Sequence, residues 1–321
     1  MVSLSCNLPS MPDSTSNTPA SPDNSGRFNF ENLSLQVNGI EFALLGCGPK
    51  DGELALCLHG FPDSAWTWRY LLPSLAEAGY RAVAPFQRGY APTGVDPLSR
   101  YQTGALASDA CGISEELSPG RAGVLIGHDW GAFAAYGASA YEPQRWRKVV
   151  TAAVPPVAAL ANAFFSYDQL RRSWYMFFFQ SPLAETAVGM NDLDFIARLW
   201  ADWSPGYDGI EDVAWVKQCL SQPENLEAAI GYYRAMFDPT KQVPEFSAQQ
   251  AASMAPTTQP LLYIHGQDDG CLSVDLAREA EGSLNDKSEM YIVKGAGHFM
   301  NVEKPDEVNS KILDFIGPPQ N

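Results

Sequence analysis

The chain has 321 residues, with 37 Asp and Glu against 21 Lys and Arg and a formal charge of −16. That balance excludes a polyanion such as nucleic acid as a partner, and the length suits one α/β unit carrying an inserted subdomain. No run of about eighteen apolar residues occurs, and Met1 to Ser10 lacks the basic and apolar stretches of a secretory signal. A soluble, cytoplasmic protein without membrane insertion is therefore expected.

Residues 1–26 are rich in Ser, Pro, Asn, Asp and Thr, too poor in large apolar side chains to offset the entropy of ordering, and predict a disordered leader. Short apolar runs then alternate with helical patterns, which indicates parallel strands joined by helical crossovers, an α/β fold. The strands are expected at Leu54–Leu58, Arg81–Pro85, Gly123–Gly127, Lys148–Val154, Leu261–His265 and Met290–Val293. Helices fit at Trp66–Ala78, Ala132–Tyr141, Ser273–Ser283 and Pro305–Phe315. From Pro155 to about Met254 strand signals stop and aromatics cluster in helical surroundings, including Phe164, Phe165, Tyr167, Trp174 and Phe177 to Phe179. The expected organisation is a core of residues 27–154 and 255–321 interrupted by a helical lid over 155–254.

The six cysteines (Cys6, Cys47, Cys57, Cys111, Cys219 and Cys271) show no CxxC pair and no Cys–His spacing suited to zinc. Free, mostly buried thiols are expected, and no ligand set for a metal or organic cofactor is visible.

Chemistry concentrates at Val124-Leu125-Ile126-Gly127-His128-Asp129-Trp130-Gly131-Ala132: an apolar strand, a turn flanked by glycines, then a helix. This resembles the nucleophile elbow of α/β-hydrolases, with Asp129 at the tip where esterases carry serine. The bland reading is an Asp capping a helix. No elbow of this form centred on Ser or Cys occurs elsewhere. An aspartate attacking a saturated carbon gives an ester, which water can cleave; a serine would give an inert ether. The substrate should be an sp3 carbon bearing a leaving group, an epoxide or an alkyl halide.

Ester hydrolysis needs a base, an orienting acid and an oxyanion hole. Of four histidines, His59 and His128 sit in backbone motifs, His265 ends a strand, and His298 follows the last strand in Gly295-Ala296-Gly297-His298, where this fold places its base. After Leu261–His265 the loop Gly266-Gln267-Asp268-Asp269-Gly270 offers two acids; Asp269 is preferred, with Asp268 as its rival. His59-Gly60-Phe61-Pro62 matches an oxyanion loop, the N–H groups of Phe61 and Trp130 being the donors, although Gly and Pro mark ordinary turns too.

His59-Gly60-Phe61-Pro62-Asp63-Ser64 with Trp66 and Trp68-Arg69, Arg88-Gly89-Tyr90, and Gly127-His128-Asp129-Trp130-Gly131 together resemble the epoxide hydrolase branch of the α/β-hydrolases. Haloalkane dehalogenases are close relatives and the alternative; a catalytically silent binding module is a third reading. The resemblance implies two lid tyrosines that hydrogen-bond the epoxide oxygen. Tyr175, in Tyr175-Met176-Phe177-Phe178-Phe179-Gln180, and Tyr233, in Tyr232-Tyr233-Arg234-Ala235-Met236, match these motifs, with Tyr232 as rival to Tyr233. A phenol of pKa about 10 can protonate the far more basic alkoxide, whereas a departing halide needs no proton. Phe61 stands where many haloalkane dehalogenases carry a halide-binding asparagine, and Trp130 where fluoroacetate dehalogenases carry arginine. Trp66, Phe178 and Phe179 are expected in an apolar pocket for a small lipophilic epoxide, with water as co-substrate. Oligomeric state is not legible.

Overall fold

Eight strands form one sheet in the order β1-β2-β4-β3-β5-β6-β7-β8 in the computed structural model, which describes residues 29–157, 159–160 and 164–320. The strands are β1 (Glu31–Val37), β2 (Ile40–Cys47), β3 (Leu54–Leu58), β4 (Arg81–Pro85), β5 (Gly123–His128), β6 (Trp146–Ala152), β7 (Leu261–Gly266) and β8 (Glu289–Val293). From β4 to β8 every neighbouring pair is parallel, while β2 runs antiparallel to both β1 and β4. All six expected strands are present. The strands β3, β5 and β7 are buried along their whole length, which is why each reads as an unbroken apolar run. The expected leader lies outside the described residues.

The β1–β2 hairpin was not among the expected strands. Its first strand alternates exposed and half-buried positions, so no apolar run marks it. The turn, however, is Asn38-Gly39 with both φ values positive, 51° and 79°, the residue pair that a tight hairpin favours.

Helices α1 (Leu71–Glu77), α2 (Thr103–Leu117) and α3 (Trp130–Tyr141) follow β3, β4 and β5. The helix expected over Trp66–Ala78 is instead two pieces, a 3-10 turn at Ala65–Trp68 and then α1. Between β6 and β7 come α4 (Tyr167–Arg172), α5 (Trp174–Phe178), α6 (Ala184–Trp203), α7 (Ile210–Leu220), α8 (Pro223–Phe237) and α9 (Ser247–Ala252). Non-helical Met190 and left-handed Asn191, Asp192 and Leu193 break α6. The last of this group, α9, packs on α2 and α3 and so belongs to the flank of the sheet. Then α10 (Val274–Ala280), α11 (Met300–Glu303) and α12 (Pro305–Ile316) complete the chain. No helix among the described residues is long and apolar enough to cross a membrane.

A buried ion pair and a buried hydrogen bond tie the inserted helices to the segment after β3, and a second set of buried ion pairs lies between β4 and α2. Arg69 pairs with Asp212 of α7 at 2.7 Å, both nearly inaccessible to solvent. Trp200 of α6 donates its indole N–H to the carbonyl of Pro62 at 2.7 Å. Arg88 is enclosed by Asp109 at 2.6 Å and Asp96 at 3.1 Å. Breaking one member of such a set leaves a buried charge uncompensated.

Candidate active site

At the end of β5 the chain turns through Asp129 with φ 51° and ψ −117°, a conformation that L-residues seldom adopt. The turn closes only because its neighbours lack side chains. A Cβ on Gly127 would lie 2.1 Å from the carbonyl oxygen of Gly131, and one on Gly131 would lie 2.1 Å from that of Leu58. Asp129 makes no side-chain capping bond to α3, so the capping reading does not describe it. Its carboxylate instead faces the loop after β3. The Phe61 N–H donates to Oδ1 at 2.7 Å, and the Trp130 N–H faces the same carboxylate. Gly60 makes room for this contact, since a Cβ there would lie 2.3 Å from Oδ1.

His298 approaches from the loop after β8. Its Nε2 is 3.7 Å from Asp129 Oδ2, beyond hydrogen-bond distance, and has no hydrogen-bond partner among the described residues. Its Nδ1 lies 2.9 Å from Asp269 Oδ2, so the neutral ring carries its proton on Nδ1 and presents a lone pair at Nε2. Asp269 Oδ1 accepts from the N–H groups of Cys271 at 2.7 Å and Leu272 at 2.9 Å. Its rival Asp268 is exposed and outside this network.

Electrostatics separate the groups. Burial raises the Asp129 carboxyl, opposed by the His298 charge and the two N–H groups. Burial alone would lower His298, but the Asp269 carboxylate and then Asp129 outweigh it and hold the imidazole above its ordinary value. Those contacts with His298 keep Asp269 below the usual carboxylate range despite its burial. The other histidines go the opposite way: burial pushes His59 down to about 4 and His128 down to about 3, and lowers His265. His59 is held between Gln87 N and Gly60 O, and His265 between Tyr263 and Leu272 O.

Above Asp129 stand Tyr175 and Tyr233, with rings 5.5 Å apart at 82°. Both are buried, and burial raises both phenols well above their ordinary value, so they remain protonated donors. The Tyr233 hydroxyl faces Tyr175 and Trp130 but makes no hydrogen bond of normal geometry among the described residues. The Tyr232 hydroxyl, by contrast, donates to the carbonyl of Arg88 at 2.7 Å and points away. Of the two adjacent tyrosines, Tyr233 alone faces Asp129.

A cavity of about 300 Å³ opens beside these groups. Asp129, Trp130, Tyr175 and Tyr233 line its floor and roof; Phe133, Leu160, Phe164, Met176, Met236 and Leu272 supply apolar wall. Trp66, Phe178 and Phe179 were expected here and do not line it. Trp66 stacks on Trp215 of α7 with centroids 5.4 Å apart, and Phe178 packs against Trp174 and Phe195. Phe179 is fully buried behind the tyrosines, 5.1 Å from Tyr233 and 5.5 Å from Phe61. Phe178, two positions beyond Met176, lies on another face of the helix, whereas Phe179, one turn beyond Tyr175 on the same face, is covered by the tyrosines. The sequence offered no separate signal for Phe133, on the core side of α3.

A mostly parallel sheet, an aspartate-tipped elbow, and an Asp-His pair completing it define an α/β-hydrolase. A family model described as the alpha/beta hydrolase family matches residues 55–311, and the chain belongs to that family. It is 30% identical over 289 residues to the AB hydrolase superfamily protein YfhM of Bacillus subtilis, covering 88% of this chain and 96% of that one. It is likewise 30% identical to Epoxide hydrolase 3 of Xenopus tropicalis, over 88% of this chain and 77% of the relative. Among solved structures, a putative epoxide hydrolase from Klebsiella pneumoniae superposes with a TM-score of 0.80 at 23% identity, over 89% and 97% of the two chains, a likeness of fold.

Proposed function

We propose that this protein is an epoxide hydrolase that opens a lipophilic epoxide to a vicinal diol through an ester on Asp129. The observation that carries this reading is the pair of buried phenols, Tyr175 and Tyr233, standing over the Asp129 carboxylate. A departing alkoxide requires a proton and a halide does not, so a two-phenol roof suits ring opening.

In this scheme Oδ1 of Asp129, bonded to the Phe61 N–H, becomes the carbonyl oxygen of the ester, and Oδ2 attacks the ring carbon. Tyr175 and Tyr233 hold the epoxide oxygen, and one of them passes its proton to it. His298 then takes a proton from water through Nε2, its ring oriented by Asp269, and the hydroxide adds to the ester carbon. The negative charge falls on Oδ1, already aimed at the N–H groups of Phe61 and Trp130. Collapse expels the alkoxide, which takes the proton held on His298 Nε2 and leaves as the second hydroxyl of the diol, and re-ionisation of the Asp129 carboxyl returns a proton to the tyrosinate. Helices α4 to α8 serve as the lid that supplies both phenols and keeps bulk water from the ester.

The test is product analysis with aryl and alkyl epoxides beside matched chloro- and bromoalkanes. Diol without halide is the expected result. Halide without diol would make the protein a dehalogenase, and neither product would favour a silent binding module.

A further inference from the structure

One buried side chain at the cavity has no part in the scheme above. Cys271 is 2% exposed and lies two residues beyond Asp269 in the loop after β7. Its N–H donates to Asp269 Oδ1 at 2.7 Å, and its carbonyl accepts from Gln169 Nε2 of α4 at 2.9 Å. The main chain is thus clamped between the acid that orients His298 and the lid. Gln169 is itself buried and also accepts from the Ser273 N–H at 3.0 Å, so the clamp has little play. Held this way, the thiol borders the cavity with its sulfur 3.5 Å from Tyr175 Oη. The Tyr233 hydroxyl faces the Trp130 indole and Tyr175, and hydrogen-bonds no thiol among the described residues.

A phenol oxygen can accept one hydrogen bond while donating another. If the Tyr175 O–H pointed at sulfur, its proton would be turned away from the cavity. An epoxide oxygen is a better acceptor than a thiol, so with substrate present the two groups reverse roles. We propose that Cys271 is a positioning residue: its S–H donates to Tyr175 Oη, turning the Tyr175 O–H onto the epoxide oxygen. This rests on the epoxide hydrolase reading. Burial raises the thiol far above its ordinary value, with Asp269 and Asp129 acting in the same sense and outweighing the opposing Tyr175 contact and Arg172, so the proton needed for donation stays on sulfur. No proton leaves Cys271 during turnover. When Tyr175 gives its proton to the opening ring, the S–H bond remains and shares the tyrosinate charge, and that phenol is restored when the Asp129 carboxyl re-ionises. The two tyrosines are therefore unequal donors, one backed by a thiol and one not.

Two measurements on the full-length protein test this. The first is stopped-flow formation and decay of the ester with styrene oxide in wild type, Cys271→Ala and Cys271→Ser, each also in a Tyr175→Phe background. Cys271→Ala should slow ester formation about 3- to 10-fold, the range of one weak hydrogen bond, while ester hydrolysis is unchanged because the Cys271 N–H still holds Asp269. Serine should restore the rate, and the alanine effect should vanish in Tyr175→Phe. An equal loss in both backgrounds, or no loss in either, would overturn the proposal. The second is the infrared S–H stretch of Cys271, isolated as the difference between wild type and Cys271→Ala. It should move to the free-thiol position in Tyr175→Phe. A stretch that ignores Tyr175 overturns the proposal without any turnover; an absence of ester in wild type, with the stretch responding, overturns only the epoxide reading.

Discussion

The Phe61 N–H donates to Oδ1 of Asp129 at 2.7 Å in the resting protein. The two oxygens of one carboxylate are thereby made different: Oδ1 is tied to the oxyanion donor, and Oδ2 faces His298 at 3.7 Å. In the proposed scheme the attacking and charge-bearing atoms are thus assigned before any substrate arrives, which is electrostatic preorganisation.

Asp129→Asn should lower kcat by more than about 10⁴-fold, since the nucleophile is lost. His298→Gln should still form the ester and slow its hydrolysis by about 10²- to 10⁴-fold. Intact-protein mass spectrometry after mixing with an epoxide reads both: a mass increase equal to the substrate in His298→Gln, and none in Asp129→Asn.

Adjacent acids offer a sharp contrast. Asp269→Asn removes the acceptor that orients the His298 ring and should cost about 10⁴-fold in kcat. Asp268→Asn, on an exposed side chain, should leave kcat and Tm unchanged.

The three neighbouring phenols should separate by step. Tyr175→Phe and Tyr233→Phe should each slow ester formation by about 10²-fold with little change in Tm. Tyr232→Phe loses the bond to the Arg88 carbonyl instead, costing about 1 kcal/mol of stability. Rapid-quench kinetics and urea unfolding on the same preparations distinguish them.

Ester hydrolysis requires neutral His298, so its rate should fall as pH drops through the imidazole pKa. In the free protein that value is raised, Asp269 being the largest support and Asp129 a further one. Forming the ester moves the Asp129 charge, which sits 3.7 Å from His298 Nε2, onto the tyrosine that gave up its proton, so the imidazole loses that direct support. The acid limb of single-turnover hydrolysis should therefore lie at lower pH than the His298 titration in the free protein, measured by NMR. A limb at the same or higher pH would contradict this.

Asp109→Ala strands the Arg88 guanidinium in the interior, with Asp96 as its remaining carboxylate partner. A loss of about 3–5 kcal/mol in urea unfolding is expected.

What could be read from the sequence was whatever a single local pattern carries. Asp129 announces itself because a strained turn demands glycines at set offsets, and His298 because only four histidines compete. In the sequence Tyr233 is preferred to its rival Tyr232 through the family resemblance alone, because neighbouring helical positions differ only in which way the helix is rotated against its support. That rotation is decided by α8 docking on Arg88, far away in sequence. The cavity wall was missed for a related reason, as Phe178 sits on the wrong face of its helical segment and Phe179, on the right one, is covered by Tyr175 and Tyr233. Cys271 gave no signal as a lone thiol, since its meaning comes from a tyrosine 96 positions earlier.

The segment that aims Asp129 also carries the roof. Phe61 offers its N–H downward to the carboxylate, while its ring meets Tyr233 at 5.2 Å and Phe179 at 5.5 Å, and the next carbonyl, on Pro62, receives Trp200. Asp129 and Tyr233, the nucleophile and a proton donor of the proposed reaction, are thus gauged against one shared datum. The cap is then no interchangeable module: a chimera grafting another relative's helices onto this sheet would inherit phenols calibrated to a different Phe61, and should fold while misaligning the two halves of the reaction.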